Sequence, residues 1–160
     1  MTIRLYLAGA ESMYSILEDC GANEVLTSYY YLREKSDKTL NKLFEKFDHI
    51  FLDSGAFTLR QSVTNEFINE PDWEYVNNRV RQYIEEYMDF VREHGDGFEL
   101  IAEVDVGGWQ QKTRYRGYME SELPDDVTLL PVVHRRDPDR YVEYLCKKYP
   151  YVAFATLHGY

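Results

Sequence analysis

The stretch His49-Ile-Phe-Leu-Asp-Ser-Gly-Ala-Phe57 reads as a strand that stops at a polar turn. Ile50, Phe51 and Leu52 are the β-branched and bulky apolar residues that a pleated, buried surface favours. Asp53, Ser54 and Gly55 are turn formers, and Ala56-Phe57 begins a new apolar pattern. Upstream, Ile3–Ala8 and Val25–Tyr31 read as two more strands. Between them Met13, Ile16, Leu17 and Cys20 recur at i, i+3, i+4 and i+7, which predicts a helix with those four residues inward and Gly21 at its C-terminal cap. Ser36 or Asp37 caps a further helix whose Leu40, Leu43, Phe44 and Phe47 share one face.

Downstream, Pro71 and Asp72 open a long helix with Trp73, Val76, Val80, Tyr83, Ile84, Tyr87 and Val91 inward, closed by Gly95. Glu99–Val104 is a fourth strand, running into Asp105-Val-Gly-Gly, and residues 109–122 are compatible with a helix. Thr128–Val133 is a fifth strand followed by His134. Asp137-Pro138 reads as a cap and first-turn proline for a helix with Tyr141, Val142, Leu145 and Tyr149 inward. Tyr151–Leu157 is a sixth strand.

Six strands alternating with helices imply α/β structure with a parallel sheet and crossover helices. An open doubly wound sheet and a (β/α) barrel both fit that alternation. Ala8-Gly-Ala-Glu after the first strand is not the Gly-rich dinucleotide fingerprint. A full TIM-type barrel takes roughly 250 residues. The 160 residues here therefore read as one partial barrel domain over 1–160, incomplete at about six of eight strands.

Composition narrows the function classes. The net charge is −10, and residues 47–105 hold the excess, with 4 basic against 14 acidic side chains. This argues against a broad phosphate-binding face, although Arg33-Glu-Lys35 and Arg135-Arg136 are local basic points. The apolar runs are far too short to span a membrane, and no leader peptide is visible after Met1. Cys20 and Cys146 are too few for a disulfide framework or a zinc motif, so they read as reduced core thiols of a cytoplasmic protein.

Parallel α/β folds place chemistry at the carboxyl ends of their strands. There the sequence sets Asp53 and Ser54, Glu103 and Asp105, His134, and His158. Each has an ordinary structural alternative: turn capping for Asp53 and Asp105, a solvent-facing edge for Glu103, and a strand-end or incidental histidine for His134 and His158. Together they suit paired-carboxylate acid/base chemistry, or a metal-dependent barrel hydrolase using Asp53, Asp105, His134 and His158. Ser54 lies outside a nucleophile elbow, and neither cysteine falls at a strand end, so nucleophilic catalysis by either type is poorly supported. Tyr29-Tyr30-Tyr31 with Arg33 suggests base stacking beside a phosphate, or simply a tyrosine-filled strand.

The Leu52-Asp-Ser-Gly-Ala-Phe57 segment resembles the tRNA-guanine transglycosylase superfamily, the queuine tRNA-ribosyltransferases, in which a strand ends in Asp-Ser-Gly-Gly before an aromatic residue. It is most similar to compact phage-type relatives with Asp-Ser-Gly-Ala-Phe, which include enzymes that insert 7-deazaguanines into DNA. Ala102-Glu-Val-Asp105, Leu130-Pro-Val-Val-His134 and Tyr151-Val-Ala-Phe-Ala-Thr156 resemble later family strands in the same order. The resemblance spans roughly 49–157. It implies a TIM-type barrel in which Asp53 is the catalytic acid/base, Ser54 and Gly55 form the turn that meets the base, and Phe57 stacks under the purine. Asp105 would accept from the Watson–Crick edge of guanine or 7-deazaguanine, which presents adjacent N–H donors to a carboxylate. His134 stands where the tRNA enzymes usually have glutamine.

The family's nucleophilic aspartate and its cysteine-rich zinc site both belong to later segments. The resemblance therefore implies very low base exchange by this chain alone, no cofactor or metal within it, and tRNA or DNA as the source of a flipped base. A non-catalytic subunit, its open barrel edge covered by a partner chain or a second copy, is the third reading.

Overall fold

The computed structural model describes residues 4–65 and 73–155. Ile3, the Pro71-Asp72 helix start, Thr156, Leu157 and His158 lie outside the described residues, as does the Trp73 side chain. Strands β1 (Leu7–Ala8), β2 (Glu24–Ser28), β3 (His49–Asp53), β4 (Leu100–Ala102) and β5 (Thr128–Leu130) form one parallel sheet in chain order. β6 (Val132–His134) and β7 (Ala153–Ala155) form a parallel pair. A doubly wound sheet starts in its middle and reverses direction, whereas this order never reverses.

Helices α1 (Ala10–Asp19), α2 (Tyr29–Leu32), α3 (Asp37–Lys46), α4 (Ala56–Asn65), α5 (Trp73–His94), α6 (Trp109–Glu122) and α7 (Asp139–Lys148) fall between the strands. Strand alternation explains where the core sits. Val25, Thr27, Ile50, Leu52, Ile101 and Leu129 are buried, and register places them on one face of the sheet. They pack with Leu40, Leu43, Val80, Ile84 and Tyr87 from the helices, as the helical periods predict, and with Met119, which no period singled out. The alternate residues Leu26, Ser28, Phe51 and Asp53 are only half-buried. Parallel sheets are usually covered on both faces, and here one face stays partly open.

Five expectations need correcting. The second strand ends at Ser28, and Tyr29–Leu32 turns into a short helix, which buries Tyr29 and leaves Tyr31 exposed. The fifth strand is two strands, because Pro131 has no N–H with which to continue the ladder. Asp137 is not a helix cap: Pro138 takes that position, and the Asp137 carboxylate turns inward. Both cysteines are exposed rather than core thiols. Cys20 belongs to α1, whose Met13 and Ile16 are also exposed and whose Leu17 alone of the predicted stripe packs on the core. A kink at Met13 (φ −121°, ψ 21°) breaks the helical phase there. The predicted glycine cap holds: Gly21 has φ 72°, and its N–H and that of Ala22 donate to Glu18 and Leu17 carbonyls in a Schellman turn.

Candidate functional site

A cleft of about 380 Å³ opens on the half-covered sheet face, at the carboxyl ends of β3, β4, β6 and β7. Strand alternation delivers Phe51 and Asp53 from β3, Ala102 from β4, Val132 and His134 from β6, and Ala153 and Ala155 from β7 to its wall. Asp105 follows β4, and Phe57 and Arg60 reach in from α4. Five predicted site residues thus meet in one place: Asp53, Ser54, Phe57, Asp105 and His134. Gly55 is not in the wall; it lies behind Asp53, against Tyr30 and Tyr83.

Asp53 is held by its own turn. The Gly55 N–H donates to Asp53 Oδ2 at 2.9 Å, which requires the backbone to reverse within two residues. Gly55 achieves this with φ 71°, and a Cβ there would stand 2.5 Å from Tyr30 Cβ and 2.9 Å from the Tyr83 hydroxyl. Tyr83 donates to the Ser54 carbonyl at 2.6 Å, and buried Tyr87 donates to the Ala102 carbonyl at 3.1 Å and the Leu52 carbonyl at 3.4 Å. Helix α5 therefore ties down the ends of β3 and β4 by two phenols. Burial pushes the Asp53 carboxyl above the usual carboxylate range, against the pull of the Gly55 N–H and the Ser28 hydroxyl. The charges of Asp105 and Glu11 push it the same way as burial.

Asp105 pairs with His134 across adjacent strand ends, Oδ2 to Nε2 at 2.7 Å. Both side chains are about one-fifth exposed, so the pair is reachable from the cleft. Phe57 is 55% exposed on the first turn of α4.

Glu103 does not face solvent. It is buried and receives two hydrogen bonds from Arg116, at 2.6 and 3.1 Å, and one from the Val132 N–H at 2.7 Å. Burial raises its carboxyl above the usual range, opposed chiefly by the Arg116 guanidinium. Lys112, also fully buried, donates to the Val132 carbonyl at 3.0 Å and to Asp137 Oδ2 at 2.6 Å. Sequence reasoning assigned neither cation a role. The available signal was their i, i+4 spacing on a helix with no apolar stripe.

Among the described residues, no group of three His, Cys, Asp or Glu side chains is arranged to hold a metal ion. Among the same residues, no helix is long and apolar enough to cross a membrane. Compared with protein-family models, curated proteins and solved structures, the chain finds no match.

Proposed function

We propose that the cleft binds a guanine-type base, guanine or a 7-deazaguanine, as a transglycosylase-like site acting on tRNA or DNA. The observation that carries this reading is the placement of Asp53 and the Asp105–His134 pair in the wall of one otherwise largely apolar cleft. A volume of about 380 Å³ lies in the range of small-molecule sites, roughly 300–1,000 Å³. Asp105 offers carboxylate oxygens to the N1–H and exocyclic amine of the base, while His134 fixes the orientation of one of them. Phe57 supplies a stacking face, and the aromatic ring of Phe51 lines the floor.

Asp53, with its raised pKa, holds a proton nearer to neutrality than an ordinary aspartate. That suits an acid/base group serving a purine as its glycosidic bond breaks or forms. The sequential strand order, the helices packed on one face and the partly open second face support an arc of a (β/α) barrel as the scaffold.

Calorimetric titration of 7-deazaguanine and guanine into the purified chain tests this. Binding should weaken about 10–100-fold in Asp105→Ala, the loss of hydrogen bonds to a charged group worth roughly 1.5–3 kcal/mol. Absence of binding to the unaltered protein would overturn the reading. Stoichiometric divalent metal in the purified protein would instead favour the hydrolase chemistry.

A further inference from the structure

We propose that Lys112 and Asp137 are positioning residues for the cleft, holding the backbone of His134 where its imidazole can lock Asp105. The functional half of this rests on the base-binding reading above. The argument starts at Pro131. Without an N–H at that position the strand breaks, and the backbone groups beyond it find side chains as partners. The Val132 N–H donates to Glu103, and the Val132 carbonyl accepts from Lys112. Two residues on, the His134 N–H donates to Asp137 Oδ2 at 2.8 Å, while the Asp137 N–H donates back to the His134 carbonyl at 2.9 Å. One carboxylate oxygen of Asp137 thus takes both the His134 N–H and the Lys112 ammonium.

The ammonium is wholly buried, with its third side toward the ring of Tyr141, 5.7 Å away. Lys112 is not itself in the cleft wall, and it meets that wall at the Val132 carbonyl. Its reach to the Asp105–His134 pair runs through Asp137, then the His134 backbone, then the 2.7 Å contact to Asp105. An apolar pair of similar volume would fill the same seam without the cost of desolvating two charges. What the ion pair provides, and an apolar pair does not, is an acceptor fixed against the His134 N–H.

Two double variants separate positioning from packing. Lys112→Met with Asp137→Asn keeps an acceptor for His134, and Lys112→Met with Asp137→Leu removes it. The first readout is the contact of the His134 imidazole with the Asp105 side chain, read by NMR as the nuclear Overhauser effect between the ring protons of His134 and the Hβ protons of Asp105. In the unaltered protein and in K112M/D137N that effect should be of equal size. In K112M/D137L it should shrink by at least half. The second readout is 7-deazaguanine affinity, expected to fall about tenfold in K112M/D137L and less than threefold in K112M/D137N. An undiminished His134–Asp105 contact in a folded K112M/D137L would overturn the proposal. Lys112→Met with Asp137→Ala, which removes the acceptor with a smaller side chain, covers the case in which that variant does not fold: the His134–Asp105 contact should weaken in the same way, and an unchanged contact would overturn the proposal. If the unaltered protein binds no 7-deazaguanine, the base-binding reading fails, and the His134–Asp105 contact still decides the positioning claim.

Discussion

Asp53 and Gly55 show how much of the site is set within three residues. Gly55→Ala puts a methyl group into the Tyr30 and Tyr83 contact at a left-handed φ. It should destabilise the protein by about 1–3 kcal/mol in urea unfolding. Asp53 carries a pH signature of its own. Its folded pKa lies above an unfolded value of about 4, so protonated Asp53 favours folding. That stability is fully present below the unfolded pKa and is lost as pH rises through the folded one. Asp53→Asn removes the ionisation, so its stability relative to the unaltered protein should increase with pH across the carboxylate range. Denaturation midpoints measured from pH 3 to 7 check the sign, and a difference that falls with pH would contradict it.

The motif residues were legible in sequence because a turn needs particular backbone chemistry: Asp to accept, Gly to reverse. The contact of Asp105 with His134 was not, since the two lie 29 positions apart and only the tertiary fold brings them together.

At the scale of elements, α1 and α5 have similar apolar spacing and different fates. α5 buries Val80, Ile84, Tyr87 and Val91, whereas α1 leaves Met13 and Ile16 exposed beside the edge strand β1. Periodicity reports which residues share a face, and only tertiary packing decides whether another element covers it. Ile84→Ala should therefore cost about 2–5 kcal/mol, while Ile16→Ala should stay within about 0.5 kcal/mol. Parallel chemical denaturation of the two variants makes the comparison. Tyr87→Phe tests the phenol link: it removes the one O–H shared between the Ala102 and Leu52 carbonyls. An expected loss of about 0.5–1.5 kcal/mol follows from the net worth of one intramolecular hydrogen bond.

At the scale of the whole molecule, the described residues form two cores of unequal size. The larger spans β2 to β5 and their helices, and the smaller joins Val133, Tyr141 and Leu145. Between them lies the polar seam of Glu103, Arg116, Lys112 and Asp137. Arg116 has its pKa raised by Glu103 and Tyr141 despite burial, so it stays charged throughout the working range. Removing one partner of such a pair is costly, about 3–5 kcal/mol. Arg116→Met should loosen the smaller unit first: amides of Val133 and Phe154 should exchange at least tenfold faster, and those of Val25 and Ile50 should change little. Uniform acceleration across all four would argue for one indivisible core.

The sequence by itself determined the α/β alternation, the helical faces of α3, α5 and α7, and the residues offered at the strand ends. These depend on local propensity and on periods of two or 3.6 residues. Tertiary structure alone decided that Glu103 turns inward to Arg116, that Lys112 meets Asp137, and that Asp105 meets His134. Each of these depends on what lies across a strand or helix boundary, where the cost of burying an unpaired polar group selects partners distant in the chain.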